Sequence, residues 1–141
     1  MDEVKLSKKV GGFVFDVTLP RASAEGEAVE IRHLVAMERE IMAVLCAYGK
    51  PTPDGFQFLR SRMRFKANQL AELFGVAPET VSRWENDKSD IPLSTWELLV
   101  LLAEEHLKGK HETLTHLREK QAQRLDPTPV AHLPNMSVAL A

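Results

Sequence analysis

Glu79, Ser82, Arg83 and Asn86 carry the donor and acceptor set that reads base-pair edges. Arginine can grip guanine O6 and N7 together, glutamate can accept from the cytosine amino group, and asparagine can pair with adenine. Their spacing puts them on one face. At 100° per residue, with Pro78 at zero, the four centre near about 90°, while Val81 and Trp84 centre near about 270°. A helix so divided buries one edge and offers the other to a major groove about 12 Å wide. The plainer reading is a solvated helix face, since any amphipathic helix puts polar residues outward. The surrounding residues favour contact with DNA.

Other candidates for chemistry are weaker. His106, His111 and His116 are five apart, so neighbours on one regular helix point about 140° from each other and cannot share a metal. Surface positions are the better reading for all three. Cys46 is the single cysteine, which rules out a disulfide within the chain, and its apolar neighbours suggest packing. No phosphate loop, carboxylate pair or nucleophile triad stands out. The expectation is a protein that is not an enzyme, with no catalytic residue, no cofactor and no metal. Arg60, Arg62, Arg64 and Lys66 form the densest basic run. They read equally well as a solvated helix end and as phosphate contacts beside the recognition helix.

These side chains need elements to hold them. In Ala67–Asn86, Leu70, Ala71 and Phe74 lie on one side of a two-turn helix. Gly75 permits the left-handed backbone of a sharp turn, Val76 can plug the angle, and Pro78 starts a second helix with Glu79 in its first turn. Ala71 is small where the helices must cross. This is the layout of a helix-turn-helix. Upstream, Thr52 is a plausible N-cap with Pro53 and Asp54 following, and Phe56, Leu59 and Met63 form an inner face. Downstream, Ser94-x-x-Glu97 has the form of a capping box before a leucine-rich helix, apolar nearly all round, that suits a central core or a dimer surface.

The remaining chain divides by pattern. Phe13, Phe15, Val17 and Leu19 alternate as in a half-buried strand, with Gly11 and Gly12 marking a bend before it. Residues 20–27 read as a loop. From Ala28 to Tyr48, Ile31, Leu34, Val35, Ile41, Leu45 and Tyr48 make a helical stripe that Gly49 and Pro51 stop. Residues 108–125 read as a polar helix, and the tail carries three prolines. We therefore expect a mainly α protein: a helix-turn-helix domain over residues 51–107, a strand-plus-helix segment over 1–50, and a polar helix and tail over 108–141.

The run "NQLAELFGVAPETVSRWEND" resembles the Cro/C1-type helix-turn-helix of bacterial and phage regulators. The likeness extends from about Thr52 to Glu105 and looks closest to the DNA-binding half of MqsA-type antitoxins. It implies a compact bundle of five helices, dimeric binding to a palindromic operator, and repression as the usual outcome, with a toxin as a further partner. It also implies phosphate contacts around the first helix of the motif, here carried over to Arg60, Arg64, Lys66, Asn68, Gln69 and Thr80. Lys66 and Ala67 depart from the family's Thr and Gln, the latter its phosphate anchor, so Lys66, Asn68 or Gln69 would substitute. The antitoxins' zinc ribbon needs two Cys-x-x-Cys pairs, and one cysteine cannot supply them.

A net charge of −2 argues against a protein that coats nucleic acid by charge alone. Residues 55–90 hold six cations against five anions. Useful affinity should then require dimerisation and base readout. The N-terminal "MDEVKLSKKVGG" has no apolar run like a secretory signal, and no stretch is long enough to span a membrane, so a cytoplasmic protein is expected. The competing function is a protein-interaction adaptor, in which the helix-turn-helix is only a scaffold and the face of Glu79, Ser82, Arg83 and Asn86 can change freely.

Overall fold

The computed structural model describes residues 3–23 and 28–140. Two strands, β1 (Glu3–Val10) and β2 (Phe13–Pro20), are followed by six helices: α1 (Ile31–Tyr48), α2 (Pro53–Arg62), α3 (Ala67–Phe74), α4 (Pro78–Glu85), α5 (Leu93–Leu107) and α6 (Glu112–Leu125). The protein is mainly α with a small N-terminal sheet; residues 51–107 hold four helices, α2–α5, not five, and α1 packs into the same core.

β2 lies where alternation predicts it, but the pattern does not announce its partner β1. The strands pair antiparallel, with Val10 opposite Phe13, Leu6 opposite Val17 and Val4 opposite Leu19. Partners share a face, so one side of the hairpin is apolar except for Lys8, which faces Phe15. Lys8 is tolerated there because its ammonium lies over the Phe58 ring, 5.4 Å from the centroid. Gly11 and Gly12 both have positive φ, as a two-residue hairpin turn requires. The turn is held from outside: Asp54 accepts from the Gly11 amide at 3.1 Å and from the Gly55 amide at 2.9 Å. Of the expected loop 20–27, residues 24–27 lie outside the described residues.

α1 begins at Ile31 rather than Ala28, because Arg21 and Val29 form a bridge that keeps the chain extended up to the helix. Its expected stripe is half right. Ile41 and Leu45 are buried, and Met42 joins them, but Ile31, Val35 and Tyr48 are exposed. The first two turns stay outside, and the helix reaches the core from Met37 onward.

Thr52 caps α2 as its sequence predicts, its hydroxyl accepting from Gly55 at 3.1 Å. α5 departs from expectation. Pro92 holds the cap position, so Ser94 is already inside the helix and no side-chain cap forms. α5 is the central element, burying Trp96, Leu99, Val100, Leu102 and Ala103 against α1, α2 and α6. At its end, Glu105 turns to α6 and accepts from the Thr113 hydroxyl at 2.8 Å and the Thr113 amide at 3.1 Å. That carboxylate sits where the positive end of the helix dipole favours it. Arg39 ties α1 to the other side of the same junction, donating to the Leu107 carbonyl at 2.6 Å. One buried cluster joins Val10, the inner half of α1 and all of α2–α5.

Candidate nucleic-acid interface

α3 and α4 meet through their smallest and most apolar residues. Leu70, Ala71 and Val81 are fully buried, and Trp84 is nearly so, set edge-on to Phe56 with ring centroids 5.7 Å apart. Gly75 takes φ 70°, and the next amide, Val76, returns to the Ala71 carbonyl at 2.9 Å. This left-handed close is open to glycine without a Cβ penalty. Leu73 is buried more deeply than Phe74, contrary to the helical stripe read from the sequence. The reason is α6, which packs on α3 and covers a side expected to be open.

A buried ion pair sets the angle of α4 against α2. Arg60 Nε and Nη2 reach the two Glu85 oxygens at 2.6 and 2.8 Å, and Arg60 Nη1 donates to the Phe65 carbonyl at 2.8 Å. The side chains are 13% and 9% exposed. Such a forked pair fixes orientation as well as distance. It also corrects one expectation: Arg60 has its guanidinium nitrogens engaged inside the fold and is a pin between helices, not a free phosphate ligand. The sequence carries a signal for this. Glu85 falls near Val81 on the inner side of its helix, and Arg60 follows Phe56 by one turn on an apolar face. A charge on an inner face calls for a partner.

The outer face of α4 is then free to act. Glu79, Ser82, Arg83 and Asn86 are all exposed and lie together. They are not equivalent. Asn86 Nδ2 donates to the Ser82 carbonyl at 2.8 Å and to its hydroxyl at 3.3 Å, so these two residues close the end of the helix on each other. Glu79 and Arg83 have side chains with no hydrogen bond or ion pair to any other described residue.

The expected phosphate set is arranged around the start of α3. Lys66, Asn68 and Gln69 are exposed and Thr80 is half-buried. Gln69 Oε1 accepts from the Lys66 amide at 2.9 Å, which steadies its side chain and leaves the amide nitrogen outward-donating. Lysine has no acceptor, so the first amides of α3 stay open to an anion. Arg64 stands just before them with φ 64°, an uncommon conformation for a bulky side chain.

Residues 60–102 match a family model described as helix-turn-helix. They are a helix-turn-helix domain. The match supports the Cro/C1-type reading over that stretch, which is under half of the chain. No curated protein and no solved structure matches the chain.

Elsewhere the chemistry is quiet. Cys46 is half-buried, and its thiol is pushed up to about 12 by burial and by the Glu104 carboxylate, so it stays protonated. His106 and His111 approach edge-to-face at 6.3 Å from different parts of the α5–α6 junction, not along one helix as their spacing suggests. Burial, then the neighbouring His111 and Arg39, hold His106 below the usual imidazole range. Among the described residues no group of acidic, histidine or cysteine side chains is placed to hold a metal, and no helix is long and apolar enough to cross a membrane.

Proposed function

We propose that the protein is a sequence-specific DNA-binding transcriptional regulator that acts as a two-fold dimer on a palindromic operator, with repression as its mode. The observation that carries this is the division of α4. Val81, Trp84 and Glu85 are locked inward by the core and by Arg60, while Glu79 and Arg83 stand outward and uncommitted. In an adaptor that outer face would be merely solvated; the helix-turn-helix match over residues 60–102 favours the reading in which it meets DNA. Glu79 and Arg83 are the leading base-reading residues. Ser82 and Asn86 assist from the helix end, each with one polar function still unpaired. Arg64, Lys66, Asn68, Gln69 and Thr80 form the phosphate set.

One recognition helix reads too few bases to stand out in a genome, which supports a dimer with half-sites about 10 bp apart or a multiple. Apolar surface open to a partner copy remains on α5 at Leu93 and Leu101 and in the N-terminal segment at Val14, Ile31 and Val35. The sequence likeness to MqsA-type antitoxins adds a toxin as a candidate second partner.

The test is selection from random DNA followed by titration. Arg83→Ala should cost about 1–3 kcal/mol on the selected operator and relax preference at one base pair. Lys66→Gln should weaken binding to all sequences alike. It should also shallow the log K against log salt slope by about 0.9 for each phosphate no longer neutralised, or about 1.8 for a dimer. Identical behaviour of the two variants, or an unchanged preference in Arg83→Ala, would return the helix-turn-helix to a scaffold role.

A further inference from the structure

A cleft of about 460 Å³ opens between the end of α2, α3, the end of α5 and α6. Its floor is apolar, formed by Met63, Leu73, Leu102 and Leu114, and its walls carry Arg64, Lys110 and Arg118. None of these three cations makes a side-chain hydrogen bond or ion pair with another described residue. Two carboxylates also line the cleft, Glu72 and Glu105. Glu105 accepts from Thr113 at the start of α6 but keeps its charge, so three cations stand against two carboxylates and the lining is net positive by one. The paired rings of His106 and His111 add two more N–H groups able to donate hydrogen bonds to an anion.

Arg64 reaches the cleft by way of the end of α2: at φ 64° it is the left-handed residue that closes the helix, and the Phe65 amide returns to the Arg60 carbonyl at 3.2 Å. The cleft falls within the size range of small-molecule sites, with an apolar body and a few convergent polar groups.

We propose that this cleft binds a small organic phosphate, its anionic head held by Arg64, Lys110 and Arg118 and its apolar body lying on Met63, Leu73, Leu102 and Leu114. The net positive lining favours an anionic head, and the three cations without an ion pair give a phosphate's several oxygens their donors. The cleft shares Arg64 and Gln69 with the phosphate set at the start of α3. A bound ligand therefore draws on side chains that would otherwise meet the DNA backbone, and operator affinity falls when it binds. That second consequence rests on the DNA-binding reading; ligand binding itself does not.

The experiment titrates the full-length protein with phenyl phosphate and follows its amide NMR spectrum, with inorganic phosphate and sodium chloride at matched ionic strength as controls. Shifts should concentrate at Arg64, Gln69 and residues 106–118, and phenyl phosphate should bind more tightly than inorganic phosphate. Lys110→Gln and Arg118→Gln should each weaken it about tenfold, the worth of a charge-assisted hydrogen bond. Both variants should keep full operator affinity without ligand. Shifts that spread equally over Lys5 and Lys9, or variants that bind like the parent, would overturn the site. Loss of operator affinity in Lys110→Gln or Arg118→Gln would make the cleft part of the DNA interface and equally overturn it. If phenyl phosphate binds the cleft but leaves operator affinity unchanged, the coupling is refuted. Failure of the DNA-binding reading is separate, because ligand-free protein would then select no operator.

Discussion

The hairpin of strands and the hairpin of helices both turn on a glycine near φ 65–70°, yet they are secured in opposite ways. The turn between α3 and α4 is held from within. Ala71 and Val81 are fully buried beside it, Arg60 and Glu85 fix the approach of α4, and a Cβ at Gly75 would meet nothing. The turn between β1 and β2 is held from without. It leans on Asp54 and on Leu45, whose Cδ2 would lie 2.4 Å from a Cβ at Gly11. The helical pair is therefore a rigid body that presents a face. The strand pair is a flap laid on the bundle, and it leaves an apolar groove against α1 lined by Phe15, Val17 and Met37. Precision sits where the core is, and unused apolar surface sits where it is not.

The sharpest way to break this comparison is to remove the internal pin. Glu85→Ala leaves a mostly buried guanidinium unpaired and should cost about 3 kcal/mol, whereas Arg60→Met with Glu85→Leu should recover most of the loss. Urea midpoints measure both. A cost under about 1 kcal/mol would show that apolar packing alone fixes the angle.

The two glycines should differ next. Gly11→Ala combines a left-handed backbone with displacement of Leu45 and should cost about 2 kcal/mol, against about 1 kcal/mol for Gly75→Ala, where only the backbone objects. Thermal unfolding ranks them, and the reverse order would mean that the flap yields more easily than its contacts suggest.

Arg64→Gly sharpens the contrast between stability and function. Relief of the left-handed backbone should outweigh the extra freedom of the unfolded glycine, giving a gain of about 0.5 kcal/mol. Operator and phenyl phosphate binding should both weaken in the same variant. A destabilised Arg64→Gly would mean that the side chain is part of the packing.

The smallest effect concerns pH. The folded His106 sits below its ordinary value of 6.5, so the unfolded chain binds the proton more readily. Its contribution to stability is present above pH 6.5 and is lost as pH falls below it through the folded value. Urea midpoints of the parent protein should drop over that window more steeply than those of His106→Gln. Parallel curves would assign the pH dependence to other groups.

Much of the helix-turn-helix is legible in the sequence because its constraints are local. Gly75, Pro78, Ala71 and the Val81–Trp84 edge act within a few residues of each other, and Thr52 with Pro53 announces α2. The first strand is not legible. Lys8 interrupts its alternation, and only Phe58, far along the chain, explains why a lysine is accepted there. The stripe on α1 promises too much for a related reason. Periodicity shows which residues share a face, not how far along the helix the core extends.

The amino-acid sequence by itself determined the two helices of the motif, the turn between them and the polar face of the second. Helical period, a residue tolerant of positive φ and an N-terminal proline are properties of single residues and near neighbours. Only the tertiary structure decided which polar residues on and around that motif are free. Arg60 and Glu85 are 25 positions apart and cancel each other, Asn86 folds back on Ser82, and α6 returns to α3 to form the basic cleft. Whether a charge is spent or free depends on what the rest of the chain brings within about 3 Å of it, and that distance is set by packing between elements remote in sequence.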